Sequence, residues 1–146
     1  MISTGLARQL RDAGLRWKPL SGDRFQIDRP ELDADVFTIS DLMIEPHEHS
    51  TGTVLGFNGT TEWALDSVDV ADALWLPRED QLRDLLRGAF RRLERDDEQY
   101  RVVLAAEGVD GRERIFDSVS APEGYGLALL AVLERVAGFT NRSVDD

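Results

Sequence analysis

The chain has no cysteine, two histidines, one lysine and two methionines in 146 residues. Without a thiol there is no disulfide, no zinc-thiolate site and no thiol nucleophile, and two imidazoles leave little acid/base machinery that titrates near neutrality. Long apolar runs are missing too. The longest, Leu127 to Leu133, falls far short of the roughly 20 residues that a bilayer-spanning helix needs, so no membrane insertion is expected. Residues Met1 to Asp12 hold no apolar stretch behind a basic start, which argues against a secretory signal and for a cytoplasmic protein. The pattern Gly-x-x-x-x-Gly-Lys-Ser/Thr is absent, and Lys18 stands in no glycine loop, which excludes a phosphate-cradling nucleotide site. There is no Gly-x-Ser-x-Gly elbow either. No cofactor is expected.

What the chain does have is acid. Seventeen basic residues stand against 28 acidic ones, for a net charge of −11. The excess is segregated: from Asp28 to Asp72 there are eleven carboxylates and one base, Arg29, whereas Arg78 to Arg114 holds nine arginines against ten acids. In the second stretch Arg83, Arg87 and Arg91 fall at i, i+4 and i+8, one face of a helix. An acidic region keeps a protein soluble and also offers an electronegative surface to a cation or a basic protein partner. It repels phosphate, so nucleic acid binding is not expected.

An apolar fraction of 42% over this length matches one hydrophobic core, and residues 1–146 read as a single domain with a polar, fraying tail over 138–146. Ser3 or Thr4 caps a first helix with Leu6, Ala7, Leu10 and Ala13 at helical spacing, and Gly14 ends it. Leu15 and Trp17 pair with Phe25 and Ile27 as a hairpin across Ser21-Gly22-Asp23, and strands follow at 36–39, 42–48 and 53–57. The period then changes. Residues 60–68 read as a short helix, 69–74 as a further turn, and Pro77 opens a helix whose stripe Leu82, Leu85, Leu86, Ala89 and Phe90 suits packing on a sheet. Tyr100 to Ala105 and Arg112 to Val119 form a second hairpin around Asp110-Gly111. Ser120 and Glu123 make a capping box for a last helix reaching about Ala137, apolar on nearly all sides. The expected class is α+β: a mainly antiparallel sheet, built from an N-terminal meander and a C-terminal hairpin, with about four helices.

Two constellations carry chemistry. Glu45, His47 and His49 alternate along a strand and so share a face, and one carboxylate with two imidazoles is the ligand set of catalytic zinc and non-haem iron sites. Against that, same-face strand positions lie about 6.6–7 Å apart and Pro46 confines the strand to an edge, so the same residues also read as an exposed strand end. Trp63, Asp66 and Trp75 flank the turn Asn58-Gly59-Thr60-Thr61 and supply aromatic walls with one carboxylate, the composition of a ligand cleft and equally of core anchors.

The stretch Gly56 to Val68, the run Ala73 to Arg83, the opening Leu10 to Trp17 and the closing Tyr125 to Leu130 together resemble a family of small bacterial proteins labelled pilus-assembly-related. The resemblance covers most of the chain and implies no catalytic or binding residues. Two functions follow as expectations. One is a non-enzymatic protein-interaction or regulatory module that meets a basic partner through the acidic region or the Trp63/Trp75 surface. The other is a small-molecule-binding or metal-dependent enzyme using Glu45, His47 and His49.

Overall fold

A computed structural model of the chain describes residues 1–29, 35–40, 44–57, 67–107 and 110–145, with their side chains except at 67 and 139–145. The chain divides into two compact units, one made of Arg16–Pro77 and the other of Met1–Leu15 together with Arg78–Asp146. The second unit is therefore discontinuous in sequence.

The unit of residues 16–77 contains six short strands: β1 (Arg24–Ile27), β2 (Phe37–Thr38), β3 (Ile44–His49), β4 (Gly52–Phe57), β5 (Ser67–Asp69) and β6 (Ala73–Leu76). They form two antiparallel three-stranded sheets, ordered β2-β1-β6 and β3-β4-β5. Strand alternation sends Phe25, Ile27, Phe37 and Ala73 from one sheet, and Ile44, Leu55 and Val68 from the other, into a common cluster with Ile39. Phe57 joins it edge-on to Phe37 at 5.8 Å between ring centroids. Each fully buried side chain of this kind contributes about 1.5–3 kcal/mol by leaving water.

This differs from the expected single meander. Residues 15–20 are not a strand, because the indole of Trp17 and the backbone amide of Leu20 are both committed to the Asp23 carboxylate, and β1 takes its ladder partners from β2 and β6 instead. The segment Ala73–Leu76, read as a turn and a lead-in, is a strand whose partner lies some fifty positions earlier. Of the expected helix at 60–68, residues 60–66 lie outside the described residues, and Ser67–Asp69 is strand.

In the other unit, α1 (Thr4–Asp12) begins as expected: Ser3 Oγ accepts from the Leu6 amide at 3.2 Å. Gly14, at φ 110°, ends it in the left-handed region, with its amide on Arg11 O and that of Leu15 on Leu10 O. After α2 (Glu79–Leu86) come β7 (Phe90–Arg95), β8 (Tyr100–Leu104) and β9 (Arg114–Ser118), an antiparallel meander, and then α3 (Ala121–Asp145). The stripe through Ala89 and Phe90 is thus not one continuous α-helix: a 3-10 turn over Arg87–Ala89 follows α2. Arg87 adopts φ 51°, the helix stops, and Phe90 opens a strand that turns the expected hairpin into three strands. The connection from β8 to β9 spans residues 105–113 rather than a two-residue turn. Among the described residues there are three α-helices rather than about four, and none is long and apolar enough to cross a membrane.

The capping box at the start of α3 is only half formed. The Glu123 amide donates to Ser120 Oγ at 3.3 Å, but the Glu123 carboxylate turns away to accept from both the amide and the hydroxyl of Ser3 at 3.0 Å. The α3 backbone is helical through Asp145 rather than ending near Ala137, and among its described side chains none beyond Leu130 is buried. Its first turns pack on β8, β9 and α1, with Tyr125 and Phe90 rings 5.5 Å apart.

A Cβ placed on Gly126 would lie 2.6 Å from Cδ2 of Leu6, itself 3% exposed, whereas one on Gly5 of α1 would meet nothing within 4 Å. Gly5→Ala is expected to gain about 1 kcal/mol from helix propensity. Gly126→Ala sets a comparable gain against an overpacking cost of about 1–3 kcal/mol, so a net loss is expected. Thermal unfolding of the two variants checks this; equal stabilisation at both positions would contradict it.

Candidate functional site

The expected metal ligands lie on β3. Glu45 faces Gly56, His47 faces Val54 and His49 faces Gly52 across the β3–β4 ladder, so the three do share the face opposite Leu55 and Val68. Gly56 makes room for the His47 imidazole, whose Cδ2 and Nε2 would stand 3.0 Å from a Cβ there. That seats Nε2 4.0 Å from Glu45 Oε2, an ion pair when the ring is protonated. Glu45 and His47 are brought together. His49 is exposed, and among the described residues no group of three or more His, Asp or Glu is placed to hold a metal ion.

Of the aromatic constellation, Trp63 and Asp66 lie outside the described residues. Trp75, on β6 opposite Phe25, is half-buried and stacks on Trp17, with ring centroids 6.3 Å apart and planes 11° from parallel. Trp17 was not singled out in the sequence, yet it is the better-anchored indole: its Nε1 donates to Asp23 Oδ2 at 2.9 Å, and the same oxygen accepts from the Leu20 amide at 3.1 Å. Asp23 is 2% exposed. The Trp75 Nε1 is buried, with no hydrogen-bond partner among the described residues. The sequence signal for this pairing is the Ser21-Gly22-Asp23 turn, whose Asp23 stands six residues beyond Trp17. Chemically, a buried carboxylate here orients an indole and closes a turn.

Charge is organised differently in the two units. On the exposed face of the β7-β8-β9 sheet, Arg92 binds Glu113 through both terminal nitrogens at 3.0 and 3.1 Å and Glu94 through Nε at 2.6 Å. Arg101 binds Asp117 at 2.9 Å and approaches Glu94 at 3.7 Å. The hydrogen bonds that Arg92 donates to Glu113 and then to Glu94 raise its guanidinium above the ordinary range, and the one that Arg101 donates to Asp117 does the same for Arg101. Residues 16–77, by contrast, hold twelve carboxylates and four bases, a net of −8. Asp35, Glu48, Asp69 and Asp72 are exposed there, with no ion pair among the described residues. The expected arginine face is not assembled: only Arg83 lies on α2, Arg87 occupies the strained turn, and Arg91 sits at the β7 bulge with Nη1 on Gly88 O at 3.0 Å.

Comparison with protein-family models, with curated proteins and with solved structures yields no match.

Removing the Asp23 carboxylate leaves an indole N–H and an amide unpaired, so Asp23→Ala is expected to cost about 2–3 kcal/mol and to shift tryptophan emission; unchanged stability and emission would refute the anchoring role. A second expectation concerns pH. Asp96, in the β7–β8 turn, accepts from the amides of Glu98 and Gln99 at 2.9 and 2.8 Å, which, with Arg101 nearby, holds its carboxyl below the usual aspartate value. A depressed folded pKa contributes stability that is present above the unfolded value and lost as pH falls through the folded one. The stability gap between the native protein and Asp96→Ala should therefore be present at neutral pH and close below about pH 4, as followed by urea unfolding.

Proposed function

We propose that this protein is a non-enzymatic interaction or regulatory module whose residues 16–77 present an acidic surface to a basic protein partner. The observation that carries this reading is the contrast in pairing. Arg92 and Arg101 on the β7-β8-β9 sheet are matched to the carboxylates of Glu94, Glu113 and Asp117, whereas Asp35, Glu48, Asp69 and Asp72 face solvent with no ion pair among the described residues. Unmatched exposed charge of one sign steers an oppositely charged partner and sets its orientation more than it adds affinity. On the β3-β4-β5 sheet Asp69 stands beside Val54 and Val54 beside His47 on the outer face, while Glu48 alternates to the other side at the exposed end of β3. The resemblance to small bacterial proteins labelled pilus-assembly-related supplies a candidate setting for the partner.

The test is affinity capture from native lysate at low and high salt, with the wild-type chain and with Glu48→Gln/Asp69→Asn/Asp72→Asn. Exposed isosteric substitutions of this kind leave folding within about 0.5 kcal/mol of the original. A basic protein retained at low salt by the wild type, released at high salt and lost from the triple variant is the expected result. No retained protein at low salt, or equal retention by both chains, would overturn the proposal.

A further inference from the structure

A cavity of about 490 Å³ lies in the unit that holds α3, well away in sequence from the acidic region. Its walls are apolar: Ala89 from the turn after α2, Leu104 and Ala105 at the end of β8, and Val132 and Val136, one helical turn apart on α3. The volume falls within the roughly 300–1,000 Å³ of small-molecule sites. Three charged side chains complete the lining. Arg135 Nη1 stands 2.6 Å from Glu107 Oε2, and Arg114 Nη1 stands 3.6 Å from the same oxygen. Two guanidiniums thus converge on one carboxylate, leaving a net positive charge at the edge of an apolar space. Arg114 is too far from that oxygen for a hydrogen bond and rests over the Phe116 ring at 5.7 Å, so its donor fork is uncommitted among the described residues.

We infer that this cavity binds a small amphipathic carboxylate, whose charged end replaces Glu107 between Arg114 and Arg135 and whose apolar body fills the space between α3 and β8. A carboxylate suits the site because a guanidinium presents paired donors that match its two oxygens. Glu107 and Arg135 are each 53% exposed, so the stand-in carboxylate can swing out to water at little cost, which a buried one could not. The cavity wall also includes Gly88 and Ala89, directly after Arg87, whose φ of 51° is one a side chain rarely adopts. Strain of this kind persists where surrounding structure enforces it and clusters at ligand sites.

The probes are sodium decanoate below its micelle-forming concentration, decan-1-ol, which lacks the charge, and acetate, which lacks the apolar body, each titrated into the full chain by calorimetry. Decanoate is expected to bind once per chain, with acetate silent and decanol weaker. Arg114→Gln and Arg135→Gln, both at partly exposed positions and checked for folding by circular dichroism, should each weaken decanoate about tenfold, the worth of one charge-assisted hydrogen bond. Glu107→Gln should tighten it, because the competitor for the arginines is gone. Absence of saturable decanoate binding, equal binding of decanol, or arginine variants with unchanged affinity would overturn the inference. A Glu107→Gln chain that binds no tighter would overturn the displacement step.

Discussion

Two glycines in α3 set the condition on which the discontinuous unit rests. Gly124 lets the helix backbone approach β8, where a Cβ would stand 3.1 Å from Val102 Cγ2, and Gly126 lets α1 approach, with Leu6 Cδ2 2.6 Å from a Cβ position. Two residues along a helix turn it by about 200°, so these are opposite sides of one short stretch. Three layers are thereby stacked: the β7-β8-β9 sheet, α3 and α1. The Ser3–Glu123 hydrogen bonds follow from that proximity, because only with α1 this close does the first turn of α3 reach the amide and hydroxyl at the start of α1. The departure from the capping box expected at Ser120 has the same origin, since Glu123 finds two donors across the interface in place of one on its own helix.

Local signals in the sequence were reliable where local physics decides. Ser3 and Gly14 bound α1, the Ser50-Thr51 turn joins β3 to β4, and Tyr100–Leu104 pairs with Arg114–Ser118 as read. The misses share a cause. Ala73–Leu76 and Phe90–Arg95 are strands because of partners elsewhere in the chain, and nothing in their own spacing distinguishes a strand from the end or continuation of a helix. Leu82, Leu86, Ala89 and Phe90 keep a perfect helical period across a helix that has already stopped at Arg87, a residue type with no preference for the conformation it adopts. For the site, alternation correctly put Glu45, His47 and His49 on one face, but it does not measure reach. The Trp17–Asp23 anchor was hidden by assigning Trp17 to a ladder. Glu107, Arg114 and Arg135 carry no local signal at all, since 28 residues separate the first from the last.

The two units also handle charge by different means. On the β7-β8-β9 sheet, five side chains alternate in sign across three strands, each guanidinium spanning two carboxylates, and Val103 on that same face is fully buried. Single exposed pairs contribute little; a connected set that lays arginine stems along the sheet also shields its apolar floor. Residues 16–77 rely instead on an aromatic and aliphatic core between two small sheets, and among their described residues Asp35, Glu48, Asp69 and Asp72 are exposed carboxylates outside that core, while the buried Asp23 anchors Trp17 and the Leu20 amide. Exposed charge that is not needed for folding is free to vary. That separation is what allows an acidic surface to be altered without dismantling the sheet beneath it.

The discontinuous unit has a cost in time. One hundred and twenty residues separate Ser3 from Glu123, which at synthesis rates of about 5–20 residues per second means that α1 waits roughly 6–24 s for its partner helix. Throughout that interval the face bearing Leu6 and Leu10, buried in the finished protein, has nothing to cover it. Residues 16–77 are complete long before, and the members of their core cluster all come from within that unit. The continuous unit is thus available to fold while the segment after it is still being made, whereas the split one is obliged to wait for α3 before α1 is covered.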